Sequence, residues 1–168
     1  MLLVPSALPI LSRRRVLFGA AALALLGATA SACGSTPPPE LDDLTAQRDR
    51  ALADSQLAKD AAAGARPQQA KALTVVADER SEHARALSEE LIRMVGDDAP
   101  TTTTTSTTAA AAKPPTSDDV VDALKQSAES AAKLAAQLSG YRAGLLGSIA
   151  AACTAAHTVM LAPAGGTP

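Results

Sequence analysis

Residues 67–95 read PQQAKALTVVADERSEHARALSEELIRMV, and the spacing of their apolar side chains decides the fold. One row of positions recurs at alternating intervals of four and three residues, at Leu73, Ala77, Arg80, Ala84, Leu87, Leu91 and Met94. These intervals place the row on one side of an α-helix, as in helices that pack in bundles. The pattern predicts a helix from about Pro67 to Val95, interrupted in its apolar row by Arg80 and ended by Gly96.

Three further segments repeat this helical spacing. The first runs from Glu40 to about Gly64 and carries a row at Leu41, Leu44, Ala51 and Ala58. Another begins at Ser117, and its row is Val121, Leu124, Ala128, Ala131, Ala135 and Leu138. The last extends from Tyr141 to about Leu161, before Pro163. We therefore expect four amphipathic helices, followed by a tail at residues 163–168.

The composition supports an all-α fold. Alanine, the best helix former, supplies 40 of the 168 residues, whereas the chain has one Phe, one Tyr and no Trp. Because alanine is depleted in strands, a β-sandwich or barrel is excluded. The scarcity of aromatic side chains argues against stacking on single-stranded nucleic acid, and a net charge of −2 disfavours duplex binding. We expect no nucleic-acid partner.

Residues 100–117 separate the second helix from the third and consist mainly of Thr, Ala and Pro. This composition is typical of a disordered linker, and residues 101–108 are candidates for O-glycosylation. Helices joined by short, long and short connections predict an antiparallel four-helix bundle with one long crossover between helices 2 and 3. Ferritin-like folds have this connectivity. The predicted domain spans residues 40–162.

The first 32 residues have the features of an export signal. Arg13, Arg14 and Arg15 precede the apolar run 16–26, and no acidic residue occurs in the segment. The order Ser-Arg-Arg-Arg-Val-Leu at 12–17 resembles the bacterial twin-arginine signal, which implies export through that pathway with Arg13 and Arg14 as the recognised pair. An ordinary Sec signal rich in arginine is the alternative.

Residues 30–34, Ala-Ser-Ala-Cys-Gly, resemble the lipobox of bacterial lipoproteins. The resemblance implies that Cys33 is the lipidated N-terminal residue, carrying diacylglycerol and palmitate and anchoring the chain to the extracytoplasmic face of the cell membrane. Two or three acyl chains bind a membrane firmly, whereas one binds reversibly. Residues 33–39 would then form the lipidated cysteine and a Pro-rich spacer. Cleavage by an ordinary signal peptidase, which releases a soluble protein, is the alternative.

Lipidation of Cys33 would leave Cys153 without an intrachain partner, so we expect no internal disulfide. A Cys33–Cys153 disulfide remains the alternative in a chain that is not cleaved. Removing residues 1–32 also leaves 12 basic and 17 acidic residues, which makes the mature domain mildly acidic, at about −5.

Residues 143–162 in the fourth helix contain no Asp, Glu, Lys or Arg. By length this stretch is a candidate membrane span, which is a second alternative for the protein. Its many small residues favour instead the most buried helix of the bundle. Small residues recur every four positions and would permit close backbone approach, at Gly140, Gly144, Ser148, Ala152 and Ala156.

Two runs, at 78–87 (DERSEHARAL) and 139–151 (SGYRAGLLGSIAA), suggest a family. They resemble exported actinobacterial, mycobacterial-type lipoproteins with a ferritin-like domain of uncharacterised function. The resemblance covers residues 40–162. It implies a ferritin-like four-helix domain held at the cell envelope.

Ferritin-like di-iron enzymes take one Glu from each of two helices and Glu-x-x-His from each of the other two. Here Glu79 and Glu82 are followed by His83 one position late, and Glu129 is the last acidic residue of the chain. His157 alone cannot replace the missing motif, and we expect it to be a satisfied bundle histidine. We therefore expect no complete di-metal site and no iron or manganese cofactor. A metal-binding or redox enzyme using Glu79, Glu82, His83 and Glu129 is the alternative.

Cys153 and His157 lie four residues apart on the fourth helix, a spacing that would allow a thiol to meet a base. No acidic residue on that helix orients the histidine, so we expect both to be buried bundle residues. The sequence contains no phosphate-binding loop and no zinc-ligand spacing. It therefore predicts a non-enzymatic envelope lipoprotein, with a binding or scaffolding module directed toward another protein.

Overall fold

The structure, a computed structural model, describes residues 38–101 and 113–162. These residues form four α-helices: α1 (Leu41–Gly64), α2 (Pro67–Val95), α3 (Ser117–Ala135) and α4 (Gly140–Ala155). A 3-10 helix, Gly96–Asp98, follows α2, and a π-helix, Ala156–Met160, continues α4. Since the two ranges contain no β-strand, the predicted all-α class is confirmed. The export signal, Cys33 and the tail 163–168 lie outside the described residues.

The four helices surround one core. Helix α1 packs against α2 and α3, and α3 packs against α4. Near the start of α1, the Gln47 amide donates to the Ser130 hydroxyl, close to the end of α3, at 2.6 Å. Arg93, near the end of α2, lies 4.6 Å from the ring centre of Tyr141, at the start of α4. Neighbouring helices are therefore antiparallel, an arrangement compatible with a four-helix bundle.

The connection between α2 and α3 crosses from one end of the bundle to the other, because α2 and α3 run in the same direction. The 19 residues of α3 span about 28 Å at 1.5 Å per residue. Both described ends of this connection lie near α1. The carbonyl of Pro100 accepts a hydrogen bond from Arg48, and residues 113–116 border the same surface depression as Ala61 and Gly64. The part from 102 to 112, including most of the predicted O-glycosylation segment, is outside the described residues.

Turn chemistry explains where the helices begin and end. The N-cap of α3 is Thr116, one residue before the predicted start, and it forms a capping box with Asp119. Gly96 has a φ of 63° just after α2, and Gly140, the first residue of α4, has a φ of 59°. Only glycine adopts these left-handed conformations without strain, so these two positions fix the ends of helices.

The core is made of the predicted apolar rows. In α2, every predicted position from Leu73 to Leu91 is at most 2% exposed, including Arg80. In α1, Leu44, Ala51 and Ala58 are fully buried. These rows are confirmed because one side of each helix removes its larger apolar groups from water. In α3, the row is turned slightly, so that Val120 is buried and Val121 is only half-buried.

The expected orientation of α4 is wrong for three of the five residues in the predicted row, whereas Ala152 is half-buried and Ala156 is buried. Gly140, Gly144 and Ser148 are exposed, and an added Cβ at Gly144 would meet no atom within 4 Å. The buried residues of α4 are Leu146, Ile149, Ala150 and Cys153. Four of its 16 residues are buried, compared with eight of 24 in α1, so α4 is not the most buried helix. Burying leucine and isoleucine removes more apolar area than burying glycine, and the larger residues therefore face inward.

One helix in the described part of the chain, Gly140–Met160, is long and apolar enough to cross a membrane. Its mean hydropathy reaches 1.4, and 28% of that window is buried. Its inward residues belong to the common core of the four helices.

Candidate functional site

A buried ion pair occupies the middle of the bundle. Arg80 of α2 is 2% exposed and Asp54 of α1 is 5% exposed. The guanidinium donates from Nε at 3.1 Å and approaches from a terminal nitrogen at 2.9 Å, both toward Oδ2 of Asp54. The Ser127 hydroxyl of α3 donates to the same oxygen at 2.5 Å. One carboxylate oxygen thus joins three helices.

Opposing effects set the charge of Asp54. Burial raises the pKa of Asp54, while the hydrogen bond from Ser127 and the positive charge of Arg80 lower it. The arginine side chain stays positively charged in proteins. The positive charge of Arg80 therefore offsets the negative charge of Asp54 in a region with little water, where an isolated charge would be costly.

His83 lies beside the free end of the Arg80 guanidinium. A terminal nitrogen of Arg80 is 3.1 Å from Nδ1 of His83. Burial lowers the pKa of His83 to about 4, and the positive charge of Arg80 adds to this effect. The ring is consequently neutral near pH 7, and Nδ1 accepts the hydrogen bond. Nδ1 of His83 is thus occupied by a hydrogen bond from Arg80.

Cys153 of α4 lies close enough to Asp54 and Arg80 to be affected by their charges. It is a free thiol, 1% exposed. Burial raises the pKa of Cys153 to about 11, and the negative charges of Asp54 and Glu79 raise it further against the effect of Arg80. A thiol with this pKa stays protonated near neutral pH and is a poor nucleophile. The expected burial of Cys153 is confirmed.

His157 does not accompany Cys153 into the core. The residue is half-buried in the π-helix and borders an open cleft at the end of the bundle. The described hydrogen bonds include none between the His157 ring and the Cys153 thiol. The expectation that His157 is a satisfied interior histidine is therefore wrong, because the π-turn carries it to the rim of the helical core.

The four weak candidates for metal binding do not converge. Glu129 is on the exposed side of α3, and Glu82 is exposed and pairs with Arg85 at 2.7 Å. Glu79 is half-buried near Cys153, and His83 is bonded to Arg80. Across residues 38–101 and 113–162, no group of three or more His, Cys, Asp or Glu side chains is placed to hold a metal ion.

A metal also fits poorly at the bundle centre for an electrostatic reason. The one carboxylate there, on Asp54, already accepts from Arg80 and Ser127. The fixed positive charge of Arg80 would repel a divalent cation. A guanidinium and its hydrogen bonds therefore occupy the place where a di-metal centre would need metal ligands.

Sequence reasoning identified Arg80 as an interruption but missed Asp54 and Ser127. A signal was present in the spacing. Asp54 lies three residues after Ala51 and four before Ala58, in the inward row of α1, and Ser127 lies three residues after Leu124. Opposite charges inside the apolar rows of two neighbouring helices predict a buried ion pair, provided that the helices meet in the right register.

Smaller polar contacts flank the ion pair. The Ser55 hydroxyl donates to the carbonyl of Ala77 at 2.8 Å, and Gln47 bonds to Ser130 as described above. Arg48 is 3% exposed and pairs with Asp49 at 2.8 Å. The Ser55 and Gln47 bonds join different helices and therefore favour one register, whereas the Arg48–Asp49 pair lies within α1.

Comparisons of the chain with protein-family models, with curated proteins and with solved structures gave no match.

Proposed function

We propose that the protein is an exported cell-envelope lipoprotein whose helical bundle is a binding or scaffolding module without enzymatic activity. The observation that carries the second part is the buried ion pair of Asp54 and Arg80. Its groups bond to one another, the neighbouring thiol is protonated, and His83 is used as an acceptor. The centre of the bundle thus stabilises the helix arrangement and offers no free nucleophile or base.

The fold supports a ferritin-like assignment as part of this proposal. The parallel direction of α2 and α3 and the long connection between them match the connectivity of ferritin-like bundles. In the di-metal members of that class, carboxylates project inward from all four helices. Here Asp54, Arg80 and Ser127 project inward from three helices, and Arg80 supplies positive charge from the protein itself.

Elemental analysis tests the absence of a metal function. The purified full-length protein is expected to contain no stoichiometric iron or manganese, even after growth with both metals. Stoichiometric metal that is lost on Glu79→Ala would overturn the proposal and favour the metal enzyme. Glu129→Ala provides a second variant from the same set of candidates.

Membrane fractionation tests the lipid anchor at Cys33. The wild-type chain should sediment with membranes, and Cys33→Ala should move it to the soluble fraction, because the acyl chains provide the membrane affinity. Cys153→Ala is the matched control and should remain in the membrane. If Cys33→Ala also remains there, the anchor is wrong, and the apolar helix Gly140–Met160 becomes the leading explanation.

The export route requires a separate test. Replacing Arg13 and Arg14 by lysine preserves charge but removes the pair that a twin-arginine translocase recognises, so export should fail. Arg15→Lys, one position later, is the control and should be exported. Normal export of the double variant would show that the ordinary secretory route is used.

A further inference from the structure

A cleft opens at the end of the bundle where α2 and α3 begin and the π-helix ends. Its volume is about 1240 Å³. This exceeds the volume of typical small-ligand pockets, which is roughly 300–1,000 Å³. The cleft is distinct from the buried ion pair, because its lining includes neither Asp54 nor Arg80.

The basic groups of the cleft are available to a ligand. Arg66 is exposed and makes no ion pair with any residue in the described ranges. Lys125 pairs with Asp122 at 3.1 Å, but both side chains are at least half exposed, and such surface pairs contribute little. Asp118 is the one acidic residue in the lining. The basic side chains therefore outnumber the acidic one.

The start of α2 adds to the positive character of this region. Arg66 is its N-cap without a side-chain cap bond, and the first turn holds no acidic residue. Its first amides, at Gln68 and Gln69, therefore have no capping acceptor. The start of α3 differs because its capping box already supplies acceptors.

Apolar side chains line the rest of the cleft. They include Val121, Met160 and Leu161. Met160 is 41% exposed and therefore accessible to a ligand. A ligand with a negatively charged group and an apolar part would therefore match both the basic and the apolar residues of the lining.

The π-helix brings His157 and Met160 into this lining. The Leu161 amide donates to the carbonyl of Ala156 at 2.9 Å, five residues back. A bond of this kind is an ordinary way for an α-helix to end. The turn therefore ends the fourth helix beside the cleft, with His157 and Met160 in the lining.

We propose that this cleft binds a small anionic amphiphile, with a carboxylate or phosphate group between Arg66 and Lys125 and a short alkyl chain against Val121, Met160 and Leu161. The inference rests on the proposed role of the protein as a binding module, and it names the ligand class. His157 also lines the cleft, and its imidazole can form a hydrogen bond with the ligand.

Calorimetric titration of the full-length protein in nanodiscs tests the proposal with three probes of equal chain length. Hexanoate and hexyl phosphate should bind saturably, and hexanol should bind much more weakly because it lacks the charge. Binding of hexanoate alone would identify a carboxylate site, and binding of hexyl phosphate alone would identify a phosphate site. Titration of empty nanodiscs subtracts partitioning into lipid.

Charge reversal at one exposed position separates the cleft from general electrostatics. Arg66→Glu should weaken binding by roughly tenfold or more, through loss of a charge-assisted hydrogen bond and added repulsion. Lys59→Glu makes the same charge change at an exposed position of α1 that does not line the cleft, and it should leave the affinity for the anion unchanged. Lys125→Glu should reproduce the effect of Arg66→Glu.

Three results would overturn the inference: no saturable binding of either anion at millimolar concentration, equal binding of hexanol, or equal weakening by Lys59→Glu and Arg66→Glu. None of these results would alter membrane fractionation or metal content, which test the envelope module. Failure of the cleft is therefore distinguishable from failure of the proposed function.

Discussion

Replacing Arg80 by methionine tests whether the central ion pair holds the bundle together. Methionine keeps much of the length of the side chain but removes both donors to Oδ2 of Asp54. The carboxylate, 5% exposed, would remain buried with Ser127 as its remaining described donor. Breaking a buried pair by removing one partner typically costs about 3–5 kcal/mol. Since Ser127 stays in place, we expect the lower end, about 3 kcal/mol.

Urea unfolding and thermal unfolding, each followed by circular dichroism at the helix band, measure this loss. A destabilisation of about 3 kcal/mol should lower the thermal midpoint by roughly 10 °C or more in a domain of this size. The matched control is Arg85→Met on the same helix, since Arg85 pairs with Glu82 and Glu89 on the exposed side. Exposed pairs contribute little, so the control should unfold close to the wild type.

A double replacement distinguishes a broken pair from a general packing defect. Asp54→Leu combined with Arg80→Met removes both charges, and such apolar replacements of buried pairs are often neutral or stabilising. The double variant should therefore be more stable than Arg80→Met alone. The ion pair does not hold the helices together if Arg80→Met loses no more free energy of unfolding than Arg85→Met. The same conclusion follows if the loss in the double variant equals the sum of the losses caused by Asp54→Leu and Arg80→Met separately.

Three further predictions concern other parts of the bundle. Because the pKa of His83 falls from 6.5 unfolded to about 4 folded, the neutral form contributes stability above pH 6.5 that is lost as the pH falls through 4. Solvent screening reduces the contribution to about 2 kcal/mol, and urea unfolding of His83→Gln from pH 7 to 4 should show a correspondingly smaller loss. Gly144→Ala should stabilise α4 by up to about 1 kcal/mol in thermal unfolding, since its Cβ meets nothing within 4 Å. Gly140→Ala, at a φ of 59°, should destabilise, and the reverse order would contradict the backbone geometry. Cys153, buried with a pKa of about 11, should react with a thiol reagent only after urea is added, and rapid labelling of the native protein would show that α4 opens.

The helices were predictable because their signals are local. Four-three spacing identifies the inward side of α2 from residues within one helix, and Gly96 ends that helix with its left-handed backbone. The all-α class follows from the same spacing and from the abundance of alanine. The predicted start of α3 at Ser117 agrees with the structure, in which Thr116 is the N-cap.

The orientation of α4 was not predictable from its small residues alone. Glycine and alanine suit a close helix contact, but they also leave little apolar area to bury on either side. The competing rows of α4 differ mainly at Leu146 and Ile149. The burial of those two larger side chains against the other helices outweighs the fit of the small row, and this comparison requires the packed bundle.

The central site shows the same division between local and distant information. Its residues were visible in the sequence as polar interruptions of apolar rows, but Asp54 and Ser127 are 73 positions apart. Whether they meet depends on the register of α1 against α3 and on the crossover that sets the direction of α3. No local pattern contains that information.

The sequence by itself determined the all-α class, the four helices and the apolar rows of α1 and α2. Each of these depends on residue types within a few turns of one another. The tertiary structure alone decided that the outward side of α4 is the one lined with small residues, that Arg80 is neutralised by Asp54 and Ser127, and that His157 faces an end cleft. These outcomes depend on side chains from different helices competing for the same interior, where an unpaired charge is too costly to remain.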